Sequence, residues 1–573
     1  MNFNKNRPPR KAKKKGKNEP QLVTQEDFYI EATQQEEQAE RWILSDIKKT
    51  LRFYIQASEL YSQALNNSVE ATDAGRYNIL YNQTRLYLVV YTEYLAVNGY
   101  INVLSYLNNL EELVGLDSII LTLPDIIARF ESVLQEFQHN TDSASHGVPV
   151  SNFWDLKFNL LTCYLLLAES VNDEGANRST SASGEDVIEL VQNKFIPCFK
   201  ELVTEITGSL NDWNEIQKST QQELFENGNY QRDNLQDQHV NNGGDGIKLN
   251  NDESSQQNET GLMEVSDQVT PETLAETYVI AYKFIETIMG LILDARYKPQ
   301  SSVLNQIQAN FMEDTVKQFM GQVNEFVSQS EEQYGIDTSD ISVSSLSLNG
   351  TTMILEGNVT LQTMDEFLTT EINSAAGSAQ SSENEQYTKM LMVKNDLLEL
   401  MVSLIEDRCT DPTIVEQLWS LTSSLSKNLG IISKTLNEKR TSIISGKYKS
   451  QSGQLSSTVF HQCDVIINSS DNELRRAWIL EVRDNLSGNT GASLKTIEIL
   501  HKNAKTLLTN AMKISERPCG LEECIIDKLK RNYIFNQARG RSALLTDGTL
   551  PQTPTTTDLL DQISDHPFYK SMM

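Results

Sequence analysis

The sequence has little of several residue types that particular protein classes need. It holds only six cysteines in 573 residues, which is too few for a disulfide framework and fits a reducing compartment. No window approaches the roughly 20 uninterrupted apolar residues of a membrane span, and no apolar segment follows the basic N-terminus as a secretory signal would require. With 13 prolines and 27 glycines, the chain is not collagen-like. We therefore expect neither a secreted disulfide-rich protein nor a membrane protein.

Positive charge is also scarce outside one short segment. The chain has 49 Lys and Arg against 78 Asp and Glu, a net charge of −29, yet residues 1–18 contain eight basic groups and no acidic one. The remaining chain repels a phosphate backbone and suits basic partners or simply solubility. We expect no direct nucleic-acid binding beyond the N-terminal arm.

The basic N-terminal arm resembles a short nuclear import signal. Pro8, Pro9 and Gly16 disfavour a helix there, so the arm would present its lysines in an extended form. A solubilising or non-specific RNA-binding tail is an equal alternative. The predicted location is the nucleus and/or the cytoplasm, and the import-signal-like residues are Arg10, Lys11, Lys13, Lys14, Lys15 and Lys17.

Core-facing residues recur with helical spacing over most of the chain. In the first such run the spacing alternates between four and three residues, which lines one face of a helix. This run comprises Phe28, Ala32, Gln35, Ala39 and Trp42. Similar runs follow, separated by short capping or turn sequences, so we predict an all-α fold of antiparallel helical hairpins.

Composition divides the chain into five predicted segments. Residues 226–260 contain 13 Asn or Gln and a single aromatic residue, which cannot bury enough apolar surface to offset the entropy of ordering. The segments are a disordered basic arm (1–25), an N-terminal helical domain (26–207), a disordered Asn/Gln-rich linker (208–270), a C-terminal helical domain (271–545) and a flexible tail (546–573). Alternation in 335–358 predicts a β-hairpin with Asn349-Gly350 at its turn, or an irregular loop.

One stretch resembles the tetratricopeptide repeat (TPR). Ala57, Tyr61 and Ala64 have the small–aromatic–small spacing of the second helix of that repeat, where small side chains let the paired helix approach. In the family's register Trp42 and Leu44 lie at or beside first-helix apolar positions. The departures from the family are Ser45, Lys48 and Val69, where Gly, Tyr and Pro are usual. The resemblance implies a TPR-like α-solenoid of stacked hairpins, here interrupted by the long insert.

The TPR resemblance also implies a binding surface on the first helices. Some repeats of this family hold a peptide's C-terminal carboxylate with lysines and asparagines, but Asp46 stands at one such position and would repel it. We therefore expect a protein-binding surface of another kind. Its predicted residues are Trp42, Asp46, Lys49, Asn78, Asn82 and Arg85.

No catalytic or metal-binding signature is present, so we expect no enzyme activity, no cofactor and no metal site.

The acidic body, the insert and the basic arm together resemble acidic TPR chaperones of basic nuclear proteins, although this insert is rich in Asn and Gln rather than densely acidic. The segment Glu26–Trp42 also resembles fungal TPR proteins. The prediction is a protein-binding scaffold or assembly chaperone that holds a protein partner in a helical-repeat groove, with a basic nuclear protein as one candidate client. A structural subunit of a stable multiprotein complex is the alternative.

Overall fold

The computed structural model describes the chain in thirteen stretches, which contain helices and no β-strand. This confirms the predicted all-α class. The predicted import signal and most of the predicted insert lie outside the described residues. These are 22–95, 101–138, 153–173, 183–229, 269–300, 302–357, 359–376, 385–447, 453–489, 491–520, 522–551, 556–564 and 566–570.

The chain forms two compact units, of which the first comprises residues 1–150 and 524–526. Its helices are α1 (Gln25–Glu40), α2 (Ile47–Asn66), α3 (Asp73–Val90) and α4 (Leu123–Gln138). A π-helical turn at Tyr91–Leu95 extends α3, and 3₁₀ turns at Val103–Tyr106, Leu110–Glu112 and Leu116–Ser118 precede α4. Helix α1 packs along α2, and α2, α3 and α4 pack in succession.

Capping residues determine where the first helices begin. The Thr24 side chain accepts from the Asp27 N–H while the Asp27 carboxylate accepts from the Thr24 N–H, forming a capping box. Asp46 and Thr72 cap α2 and α3, each by accepting one backbone N–H of the helix with its side chain. Each cap satisfies an N–H group that the helix itself leaves without an acceptor.

Small residues let α1 and α2 pack closely. Ala32 and Ala39 of α1 and Ala57 and Ala64 of α2 have no exposed surface. The two α2 alanines are buried, as the prediction requires, but the TPR register is wrong. Residues 41–45 form the turn between α1 and α2, so Trp42 and Leu44 do not lie on a first helix. The chain turns here because Asp46 caps α2.

The second unit comprises residues 151–523 and 527–573. Its helices are α5 (Trp154–Asp173), α6 (Gly184–Glu189), α7 (Ile196–Asn229), α8 (Pro271–Tyr297), α9 (Gln306–Tyr334), α10 (Ser339–Leu355), α11 (Leu361–Ala376), α12 (Glu385–Ile405), α13 (Pro412–Ile444), α14 (Leu455–Leu486), α15 (Leu494–Ser515), α16 (Ile525–Asp547, apart from its first two residues), α17 (Thr556–Ser564) and α18 (Pro567–Lys570). A π-helical turn at Leu190–Phe195 joins α6 to α7.

Neighbouring helices of the second unit pack as antiparallel hairpins, as predicted for an α-solenoid. In the pair α8–α9, for example, the Tyr278 hydroxyl hydrogen-bonds the side chain of Ser330. One turn later on α8, the Tyr282 hydroxyl hydrogen-bonds Asn324, which lies earlier on α9, so the two helices run in opposite directions. The pairs α12–α13, α13–α14 and α14–α15 continue the stack. Each hairpin covers an apolar face that its neighbour would otherwise leave in water.

The structure differs from the predicted domain boundary at 207/208. Helix α7 continues to Asn229, and the Tyr334 hydroxyl donates to the Asn211 carboxamide oxygen at 3.0 Å. Across the predicted linker the ring of Phe195 stacks on Phe284, with centroids 3.5 Å apart. Residues on both sides of the linker therefore share one core, because aromatic side chains close to each flank bury their rings together.

The predicted flexible tail after residue 545 is wrong for its described part. Leu559 and Ile563 of α17 and Phe568 and Tyr569 of α18 are all buried. They pack with Leu474 of α14 in one apolar cluster. The proline- and threonine-rich composition suggested mobility, but four apolar side chains close to the end supply enough burial to hold the segment.

The predicted β-hairpin or loop at 335–358 is also wrong, because Ser339–Leu355 is helix α10. Gly350 lies where α10 meets α12, and a Cβ atom there would overlap the side chain of Leu397. The glycine thus permits close helix packing rather than a turn.

Replacing Gly350 by Ala should destabilise the second unit by about 1–3 kcal/mol, since buried Leu397 has little room to move. Gly321 of α9 is the matched control, because a Cβ there would meet no atom within 4 Å. Gly321→Ala should instead stabilise by about 0.5–1 kcal/mol through helix propensity. Calorimetric melting of both variants provides the measurement; a stable Gly350→Ala protein would contradict the α10–α12 contact.

Candidate functional site

The predicted surface contains a polar cluster between α1 and α3. The Asn82 side-chain N–H donates to the Tyr29 hydroxyl oxygen at 2.9 Å. One turn further along α3, the Arg85 guanidinium lies 3.0 Å from the Glu36 carboxylate. The structure therefore joins two predicted residues of α3 to two residues of α1.

Glu36 is the centre of this cluster. Its carboxylate accepts the hydroxyl of Tyr61 at 2.5 Å as well as the Arg85 guanidinium. Burial raises the pKa of Glu36, and the charge of Arg85 and the hydroxyl of Tyr61 oppose that rise only in part. The Arg85 side chain is 42% exposed, so one edge of this buried pair faces solvent. Its Nε has no acceptor among the described residues.

Three other predicted residues form a separate group at the start of α2. The Lys49 ammonium lies 3.1 Å from the centroid of the Trp42 ring, a cation–π contact. The Asp46 carboxylate accepts the backbone N–H of Lys49 at 3.0 Å as the helix cap. These three residues pair with one another and stabilise the start of α2.

Asn78 occupies the α3 face that also bears Asn82 and Arg85, since the three positions follow helical spacing. Sequence reasoning thus identified the α3 side of the cluster and missed its α1 side. Glu36 could have been found, because it continues a buried stripe that includes Ala32 and Ala39. A carboxylate on such a stripe calls for a cationic partner.

The described ranges show few other groups that could bind a metal or react. In them, no group of three or more His, Cys, Asp or Glu side chains is placed to hold a metal ion. Burial raises the pKa of the Cys163 thiol to about 12, and that of Cys519 to about 11.

Among the helices within the described stretches, none combines the length and the apolar character needed to cross a bilayer.

The hairpins of both units define an all-α, hairpin-built protein with a polar cluster between its first and third helices. Comparison with known proteins identifies its relatives. The chain is 36% identical over 574 residues to the Saccharomyces cerevisiae protein described as uncharacterized protein YNL193W, and the match covers 98% of this chain and 97% of the yeast protein. The chain therefore belongs to the YNL193W family.

Two domain families match within the chain. Residues 178–356 match the YNL193W-like protein middle domain, and residues 382–573 match the YNL193W C-terminal domain. The middle domain spans the predicted linker, in keeping with the shared core of α7 and α8. A solved circular tandem repeat protein with novel repeat topology and enhanced subunit contact surfaces aligns over 96% of both chains at 12% identity, but its TM-score of 0.25 is too low to compare folds.

Replacing Arg85 by Met should leave the Glu36 carboxylate buried without its cation. We expect a loss of about 1–3 kcal/mol at pH 7, at the lower end for buried pairs because Arg85 is partly solvated. The folded-state pKa of Glu36 is raised above 4.5, so protonation favours the folded state as the pH falls. The loss should therefore shrink near pH 4.5, as measured by urea unfolding.

Arg76→Met is the matched control in the same helix. Arg76 pairs with Glu136 at 2.7 Å, but both side chains are well exposed. This change should cost under about 1 kcal/mol. Equal losses in the two variants would show that Glu36 is not effectively buried.

Proposed function

We propose that this protein is a non-enzymatic protein-binding scaffold or assembly chaperone, and that α1 binds a basic segment of its partner. The observation that carries the proposal is the charge of α1. Its sixteen residues include six carboxylates and no basic group. Exposed carboxylates on such a helix attract the cationic groups of a partner.

Internal contacts occupy only part of this negative charge. Asp27 belongs to the capping box and Glu36 pairs with Arg85. Glu37 lies 3.9 Å from Arg41, but both side chains are 65% exposed, so water weakens that pair. Glu26 and Glu40 are exposed as well. At least three carboxylates thus remain available to lysines or arginines of a partner.

We further infer a TPR-like arrangement of the first unit in a corrected register. Helices α1 and α3 would be the first helices of two successive hairpins, and α2 the second helix between them. Asn78, Asn82 and Arg85 would then border the same partner surface as the carboxylates of α1. The loose resemblance to acidic chaperones of basic nuclear proteins supports the same class of partner, and the basic arm supports the proposed nuclear and cytoplasmic location.

The proposal can be tested by neutralising the exposed carboxylates in the full chain with Glu26→Gln, Glu37→Gln and Glu40→Gln together. The probe is a fluorescein-labelled alternating Lys–Ala peptide, followed by anisotropy at low salt. Losing three charges should weaken binding about tenfold, which corresponds to about 1.4 kcal/mol. The expected cause is the loss of Coulomb attraction at the site.

A matched control makes the same charge change on α9. Glu325, Glu331 and Glu332 are exposed, and their replacement by Gln should weaken peptide binding less than about twofold. Equal effects in both variants would mean that net charge alone attracts the peptide, and the α1 site would be rejected. Partners purified from cells that stay bound in high salt would instead favour the structural-subunit alternative.

A further inference from the structure

The second unit contains a basic groove, whose charge is opposite to that of the acidic helix α1. It has a volume of about 460 Å³ and lies over α14, between α13 and α15. Its cationic side chains are Lys434 and Arg440 of α13, Lys513 of α15 and Arg517 just beyond α15, and its amides are Asn437, Gln462 and Asn510. Four cations around one groove are notable in a chain with a net charge of −29.

The cations of the groove are only weakly neutralised. Lys434 lies 4.0 Å from Glu438, but the lysine side chain is 79% exposed, which makes this pair weak. Lys513 and Arg517 are exposed on the last turns of α15 and beyond its end. More distant acidic groups are screened beyond a Debye length of about 8 Å. Local charge therefore makes the groove attractive to anions.

The buried amide of Gln462 adds a second, independent observation. The Arg440 guanidinium can only donate, so the Asn437 atom that it contacts at 3.0 Å is the carboxamide oxygen. The Gln462 atom facing the same oxygen at 3.4 Å must then be the amide nitrogen. This fixes the orientation of Gln462 and directs its oxygen elsewhere.

That oxygen lacks a donor. Gln462 is only 3% exposed, and its Oε1 is buried without a hydrogen-bond partner within the described part of the chain, as is the Nε of Arg440. An unpartnered buried polar atom destabilises the folded state. Both atoms belong to residues that line the groove, so a ligand that enters as these side chains shift would satisfy them with one donor and one acceptor.

We propose that this groove binds an acidic peptide segment of a partner protein. Its carboxylates would pair with the four cations, one backbone N–H would donate to Gln462, and one backbone carbonyl would accept from Arg440. Nucleic acid offers phosphates but lacks regularly spaced backbone donors. The groove follows α13 from Gly430 to Arg440, about 15 Å of helix, which corresponds to about five residues of extended peptide.

The test measures anisotropy of a fluorescein-labelled alternating Glu–Ala peptide with the full chain. Combining Lys513→Glu with Arg517→Glu should weaken binding at least about tenfold, because two attractions become repulsions. Lys495 and Lys502 are exposed on the same helix, outside the groove. The control Lys495→Glu with Lys502→Glu makes an identical charge change and should weaken binding less than about twofold.

A third variant tests the amide separately from charge. Gln462→Met nearly conserves side-chain volume and removes the unpartnered oxygen, so the fold should be retained. Binding of the Glu–Ala peptide should weaken about three- to tenfold, as expected for losing one hydrogen bond. Unchanged binding in this variant would overturn the proposed backbone contact.

The remaining outcomes are also decisive. No binding of the Glu–Ala peptide at low salt, or equal losses in the groove and control variants, would refute the proposal. Tighter binding of single-stranded DNA of equal charge, or competition by inorganic phosphate at the concentration of the peptide, would assign the groove to phosphate ligands instead. Because α1 is tested with a Lys–Ala peptide and other variants, either site can fail without the other.

Discussion

The second unit depends on the satisfaction of polar groups inside helix α14. Every residue from Ser470 to Arg475 is buried, in a segment that carries two acidic side chains and one basic one. A helix enclosed on all sides cannot direct such groups to water, so each needs a partner from a neighbouring helix. Removing one partner of a buried pair costs about 3–5 kcal/mol. The helices around α14 are therefore fixed by charge as well as by apolar contact.

Two of these three charged side chains, Asp471 and Arg475, have ionic partners outside α14. Arg475 lies 2.9 Å from Glu406 and 3.2 Å from Glu399. Asp471 accepts from Arg541 at 3.1 Å and from the hydroxyl of Tyr569 at 2.6 Å. Asp471 thus holds both α16 and α18. This explains why the chain near its C-terminus is ordered, since Tyr569 supplies a hydrogen bond that no solvent molecule can reach.

The helices could be predicted from sequence because their apolar spacing is a local property. What could not be predicted depends on residues far apart in the chain. Asn349-Gly350 resembles a hairpin turn locally, but the glycine is explained by Leu397, which packs against it. The order of the tail depends in the same way on Asp471, 98 residues before Tyr569. The sequence around Gly350 or Tyr569 does not reveal these partners, because Leu397 and Asp471 lie far away in the chain.

The candidate sites also divide into residues that the sequence predicts and residues whose role depends on distant partners. Asn82 and Arg85 were predicted from the TPR resemblance, whereas Glu36 was missed because its importance comes from Arg85, 49 residues away. The groove was missed entirely. Its cations come from α13 and from α15 with the residue just beyond it, about 80 residues apart, and their meeting cannot be read from either segment alone. Only the hairpin stack brings them to one side of α14.

Net charge is consequently a poor guide to partners in this chain. At physiological ionic strength a charge acts over about 8 Å, so a ligand responds to the few groups around its binding site rather than to the total of −29. An acidic helix and a basic groove can then occur in one chain without cancelling. The overall charge governs solubility and the first approach of a partner. In the two proposals, the exposed carboxylates of α1 and the unsatisfied amide of Gln462 would select the polypeptide that stays bound.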